Sequence, residues 1–204
     1  YNRMVFDGIG YHNFVHSRPE LRDRVIFIDS LSKTYGMPGW RVGFMAGPES
    51  VANAVATMNS NHITNIPEVV TAAAIAALTG PQDVPKQKNE EFQAKRDQVL
   101  AVLAQIPGIV CPRPEGAFYV FPNIGEVCES LGAIEAHASL PLSVRECTTP
   151  STLFQLFLLF NHGVATLDRK SFGRIGSEGK HYLRLSIATS LEQLELGMER
   201  IKRA

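Results

Sequence analysis

The sequence carries no excess of charge: 20 lysines and arginines balance 20 aspartates and glutamates, and no long basic run occurs. That balance leaves no electrostatic footprint for nucleic acid or an anionic membrane. Long apolar runs are also lacking. The greasiest segment, Leu153-Phe-Gln-Leu-Phe-Leu-Leu-Phe160, falls well short of the roughly 18 residues a membrane span needs, and reads as a buried helix. Cysteine is scarce. Cys111, Cys128 and Cys147 are odd in number, widely spaced and without a C-x-x-C pair, which argues for buried free thiols in a reducing compartment, the cytoplasm, rather than a disulfide framework. The histidines (His12, His16, His62, His137, His162, His181) show no metal-ligand spacing. His12 and His16 are four apart, but Gly8 and Gly10 argue against a helix that would align them. There is neither an initiator Met nor a signal-like apolar segment before Tyr1, so a fragment or processed chain is expected.

What is present suffices for a folded protein. With 204 residues, 45% of them hydrophobic, the chain can bury a core in one or two domains. Residues 25–29 and 42–46 read as buried strands from their apolar runs. Arg3-Met-Val-Phe6 reads as a strand end, followed by irregular loop through residue 24. Helices are predicted from Glu49 or Ser50 to about Ser60, from Val69 to Leu78, and over 84–106. The last has an apolar stripe of Phe92, Val99, Leu100 and Leu103. Strands follow at 109–111 and 117–121, then a helix at 151–162 with Ser151 as cap, and strands at 164–167 and 182–187. A final helix starts at Ser190, with Gln193 completing a capping box, and buries Leu191, Leu194, Met198 and Ile201. Residues 134–150 read as loop. This order gives an α/β protein with a mixed sheet in its second part.

One stretch carries chemistry. In Ser30-Leu-Ser-Lys-Thr-Tyr-Gly-Met-Pro-Gly-Trp-Arg41, a lysine stands where a strand ends and a Gly/Pro-rich turn begins, and an arginine opens the next strand. The pair suits a lysine that forms a Schiff base and an arginine that holds a phosphate, together seating pyridoxal phosphate. Spacing alone favours plain surface charge, since a strand-turn-strand with one lysine and one arginine is common.

The twelve residues resemble the lysine segment of the class I/II aminotransferases, of the aspartate-aminotransferase type, among the fold type I pyridoxal-phosphate enzymes. Pro114-Glu-Gly-Ala-Phe-Tyr-Val-Phe-Pro122 and Tyr182-Leu-Arg-Leu-Ser-Ile-Ala-Thr-Ser190 agree with the same family. The resemblance covers nearly the whole chain but only the second half of such an enzyme. It implies the end of a large cofactor-binding domain at 1–84, a linking helix at 85–107 and a small C-terminal α/β domain at 108–204. The first part would be the tail of a larger parallel-sheet domain.

The resemblance also implies roles. Lys33 would carry the cofactor and move a proton. Arg41 and Ser30 would hold its phosphate, with Ser32 a weaker candidate, and Tyr1 would hydrogen-bond the cofactor O3′. Arg184, flanked by Leu183 and Leu185 on the opposite face of a strand, would grip the substrate α-carboxylate. Gly116-Ala-Phe-Tyr119 would lie near the substrate, and His62-Ile-Thr-Asn65 near a dimer interface. The substrates would be an amino acid and a 2-oxo acid, and the assembly a homodimer. The family's aspartate for the pyridine nitrogen, its phosphate loop, its ring-stacking aromatic and an asparagine near O3′ would all come from an absent first half. At Leu167–Gly173 the chain departs from the family's Pro-Gly-x-x-Phe-Gly, with Asp168 and Arg169 in place of Pro-Gly.

Three other readings compete. Ser30-Leu-Ser-Lys33 matches the S-x-x-K of penicillin-recognising enzymes, but neither S-D-N nor K-T-G occurs and an apolar strand precedes it. An effector-sensing domain of a transcriptional regulator would need a DNA-binding module, which these residues lack. A catalytically incompetent fragment is the third.

Overall fold

A computed structural model describes residues 1–173 and 179–204. They fall into two compact units, Tyr1–Glu90 and Glu91–Ala204. The chain is mixed α/β, with helices around two small sheets.

In the first unit, α1 (Phe14–Ser17) and a 3-10 turn (Pro19–Arg24) precede β1 (Phe27–Ser30), α2 (Leu31–Thr34), a second 3-10 turn (Pro38–Trp40), β2 (Gly43–Ala46), α3 (Glu49–His62) and α4 (Glu68–Thr79). Asn13 caps α1 by accepting from the His16 amide, so one turn of helix forms where glycines upstream predicted none. Strands β1 and β2 pair antiparallel, Phe27 opposite Ala46 and Ser30 opposite Gly43. Only glycine fits at position 43, because a Cβ there would stand 2.7 Å from the Asp29 carbonyl oxygen. Neither strand is buried as predicted: Ile28 is 76% exposed. The core lies beside the sheet, where Leu31, Val42 and Ala74 pack with Tyr35, Met37, Val70 and Ala77.

Helix α5 (Asp83–Leu103) crosses the division between the units. Its Val99 and Leu103 are buried as expected, and so is Arg96, a charged residue four after Phe92 and three before Val99 on the same face. Arg96 reaches Asp97 at 2.8 Å and the Pro114 carbonyl at 2.8 Å, partners that make its burial affordable.

The second unit continues with β3 (Tyr119–Val120), α6 (Gly125–Ser130), α7 (Ala133–Ala138), α8 (Leu142–Arg145), α9 (Pro150–His162), β4 (Leu167–Asp168), a 3-10 turn (Arg169–Phe172), β5 (Leu183–Ser186) and α10 (Leu191–Arg203). Strand β5 is central, and both neighbours run antiparallel to it rather than forming the mixed sheet expected. The predicted strand at 109–111 reduces to a bridge between Val110 and Asn123. Residues 134–150, expected to be loop, hold most of α7 and all of α8. Thr149, not Ser151, caps α9. Pro150 takes the first helical position, which puts the cap two residues before Ser151, and Thr149 and Thr152 exchange the two bonds of a capping box. Helix α9 is half-buried rather than buried: Phe154 and Leu158 face inward while Phe160 is 79% exposed. Ser190 caps α10 through the Gln193 amide. Leu194, Met198 and Ile201 are buried there, whereas Leu191 is exposed because the first turn points its side chain outward.

The three cysteines are unpaired. Burial pushes the Cys128 thiol up to about 11 and raises that of Cys111, while Cys147 is exposed rather than buried. No helix among the described residues is long and apolar enough to cross a membrane.

Candidate active site

Strand β1 ends at Ser30, and the chain turns at once into α2. Ser30 is the N-cap: its hydroxyl accepts from the Ser32 amide at 3.0 Å and donates to the Ser32 hydroxyl at 2.7 Å. Turn capping and a polar site are therefore compatible at Ser30, and Ser32 joins it through the turn rather than through a continued strand. Within α2, Leu31 and Thr34 face the core, which leaves Lys33 on the outer side. Lys33 is thus exposed in these residues, not buried at a strand end.

Arg41 does not open β2. It follows the Pro38–Trp40 turn in the left-handed region, φ 49°, and its guanidinium donates to the Pro38 carbonyl at 3.0 Å. A non-glycine residue at such a φ is strained. Gly36 and Gly39, nearby in the same loop, show that glycine is available to this segment. The Leu31 amide and Ser30 hydroxyl both approach the Val42 carbonyl at 3.4 Å, so the two ends of the loop meet. The chain's first residues meet it as well: the Thr34 hydroxyl donates to the Asn2 side chain at 3.2 Å, which brings the neighbour of Tyr1 to the neighbour of Lys33. Ser30, Ser32, Lys33 and Arg41, with Tyr1 close in the fold, thus belong to one locality of the first unit.

The polar set of residues 30–41 comprises four hydroxyls (Ser30, Ser32, Thr34 and Tyr35), the Trp40 indole N–H, one amine and one guanidinium, with no carboxylate. It fits a phosphate that carries an aldehyde elsewhere on the same molecule. Asp29 just outside is occupied, accepting from the Ser30 amide at 2.7 Å.

Arg184 lies in the second unit, on β5, between buried Leu183 and Leu185 as the alternation predicts. Its guanidinium carbon sits 4.4 Å from the centre of the Tyr119 ring and 4.9 Å from that of Phe172. Sequence reasoning put Tyr119 near the substrate without linking it to Arg184, and gave Phe172 no role. The Tyr119 contact follows from register, because Tyr119 pairs with Ser186, two residues along the same face as Arg184. Phe118, its neighbour, is buried core. The His62–Asn65 segment ends α3 and holds Thr64 at φ 67°.

Such a lysine turn and strand arginine define a class: the chain belongs to the family Aminotransferase class I and II, whose profile matches residues 1–201. Its fold is that of the fold type I aminotransferases. It is 33% identical over 203 residues to the aspartate aminotransferase of Geobacillus stearothermophilus, a match covering 100% of this chain and 47% of that enzyme. The crystal structure of the aspartate aminotransferase from Rhizobium meliloti superposes with a TM-score of 0.82 at 32% identity, over 100% of this chain and 47% of that one. The aromatic aminotransferase from Pyrococcus horikoshii OT3 gives 0.80 at 26% identity, over 100% and 48%. The chain spans about half the length of the relatives it matches.

The helical cap at Ser30 meets one requirement of the S-x-x-K reading, yet α2 is a single turn and the partner motifs are lacking. The family match leaves neither that reading nor the regulator reading any support.

Proposed function

We propose that these residues are the C-terminal part of a pyridoxal-phosphate-dependent aminotransferase that moves an amino group between an amino acid and a 2-oxo acid. The observation that supports the reading is the Ser30-capped turn, which holds Lys33 on its outer side eight residues before a left-handed Arg41, within a family match over residues 1–201. Lys33 holds the cofactor at its aldehyde carbon. Arg41 and Ser30 bind the phosphate, the guanidinium as a planar fork and the hydroxyl as a single donor. Tyr1 supports O3′. When bound, pyridoxal phosphate supplies an electron sink for the pair left when the substrate α-proton departs. Once the substrate amine has displaced it from the aldehyde carbon, the freed Lys33 Nζ would take that proton from the α-carbon and deliver it to the former aldehyde carbon. Arg184 binds the substrate by its α-carboxylate, as a planar fork.

In this reading residues 1–84 close a large cofactor domain, residues 85–107 link, and residues 108–204 form the small domain that carries Arg184. The remaining groups of the site come from the half of a whole aminotransferase that lies outside these 204 residues and from a second subunit of a homodimer. Three unpaired thiols support a reducing, cytoplasmic setting.

The test is a half-reaction. Whole enzyme loaded with cofactor and given an amino acid without any acceptor releases one 2-oxo acid per site and stops, then resumes when a different 2-oxo acid is added. Continuous release without acceptor, or none, contradicts the proposal.

A further inference from the structure

We infer that Tyr119 and Phe172 are positioning residues for Arg184, and that Asp168 sets Phe172 in place for that purpose. The inference rests on the reading of Arg184 as the group that binds the substrate carboxylate. An arginine on a strand has several rotamers of similar energy, and holding one of them for a ligand costs conformational entropy. Here two rings bear on its guanidinium, at 4.4 Å and 4.9 Å from the central carbon. A ring engages the cation through its π face and takes none of the N–H donors, which stay available for a bidentate carboxylate. The rings therefore order the fork before the substrate arrives.

The two rings are held differently. Tyr119 is fixed by β3, opposite Ser186 in the ladder. Phe172 ends the Arg169–Phe172 turn, and its ring meets Phe121 edge-on at 5.9 Å, with Phe121 in turn stacked on Tyr182 at 5.2 Å. The turn begins at Asp168, which is 4% exposed. One carboxylate oxygen of Asp168 accepts from the Ser171 amide at 3.1 Å and the Ser171 hydroxyl at 2.7 Å; the other accepts from the Thr152 hydroxyl on α9. Asp168 thus ties the turn to the helix behind it, at the place where the family's Pro-Gly stands. A buried, fully bonded carboxylate does by hydrogen bonding what a proline does by its fixed φ: it leaves the following turn one conformation.

The experiment uses whole enzyme with cofactor and compares Phe172→Leu, Phe172→Tyr, Tyr119→Leu and Asp168→Asn. It measures the Kd of succinate, a carboxylate with no amino group to transfer, and KM and kcat of the half-reaction for several amino acids. Loss of either ring is expected to weaken succinate binding and raise KM roughly tenfold for every amino acid alike, with kcat changed less than about twofold. Phe172→Tyr, which keeps the ring, retains the wild-type constants, and Asp168→Asn falls between. Unchanged Kd and KM in Phe172→Leu overturn the inference. So does a rise confined to certain side chains, which makes Phe172 a specificity contact instead. If wild-type enzyme releases no 2-oxo acid in the half-reaction, the function reading fails and this inference with it.

Discussion

Arg41 is the residue where stability and function pull apart most clearly. Its φ of 49° costs about 1–2 kcal/mol for a residue with a Cβ. Arg41→Gly relieves that strain, while glycine's extra unfolded-state entropy returns part of the gain. Urea unfolding is expected to show a net change below about 1 kcal/mol, with cofactor affinity falling about 10- to 100-fold as the charged phosphate contact is lost. A large stability loss with affinity intact would mean the arginine serves the fold alone. His181 gives a second residue-scale prediction. Burial, with His137 nearby, lowers its pKa below the usual 6.5, and its buried Nδ1 has no hydrogen-bond partner among the described residues. The unfolded chain therefore takes up a proton first as pH falls, so the stability tied to neutral His181 is complete above 6.5 and lost below it. Denaturant midpoints measured from pH 7.5 down to 5 should drop more steeply for the wild type than for His181→Gln; parallel curves would contradict this. At this scale Lys33, Arg41, Ser30 and Arg184 became candidates through the motifs around them, since a lysine and an arginine near a turn read by themselves as surface charge. The contacts of Tyr119 and Phe172 with Arg184 were not legible, since an aromatic beside an arginine declares itself only once strand register brings them together.

Among the elements, α9 shows how a helix is started by more than its first apolar residue. Thr149 and Thr152 satisfy each other's backbone amides, and Thr152 also donates to Asp168. Thr149→Ala should cost about 1 kcal/mol. In a protein of this size that lowers Tm by about 2–4 °C, measurable by calorimetry. An unchanged Tm would show that Pro150 alone suffices to start the helix. The long helices were readable from their periodicity: α3, α4, α5, α9 and α10 all lie within a few residues of their predicted spans. Short elements were not. A two-residue strand such as β3 or β4 has no period to read, and α7 and α8 are too short for an amphipathic stripe. The burial of Arg96 had no sequence signal either: a charged residue within the apolar stripe of α5 is buried only with partners such as Asp97 and the Pro114 carbonyl, which helical spacing does not reveal.

For the whole molecule, periodicity reports which face is apolar but not what covers it. Ile26, Ile28 and Phe44 were expected inside and are exposed in these residues. The chain spans about half the length of its relatives, and in the proposed reading the rest of the large domain lies outside it. The central claim is that Lys33 is the lysine that receives the cofactor, and the whole enzyme, which holds the rest of the site, answers it. The whole enzyme is incubated with pyridoxal phosphate, reduced with borohydride, digested and mapped by peptide mass. The account predicts one dominant adduct, on Lys33, absent from Lys33→Ala. Adducts spread over the other surface lysines, or no adduct at all, would contradict it.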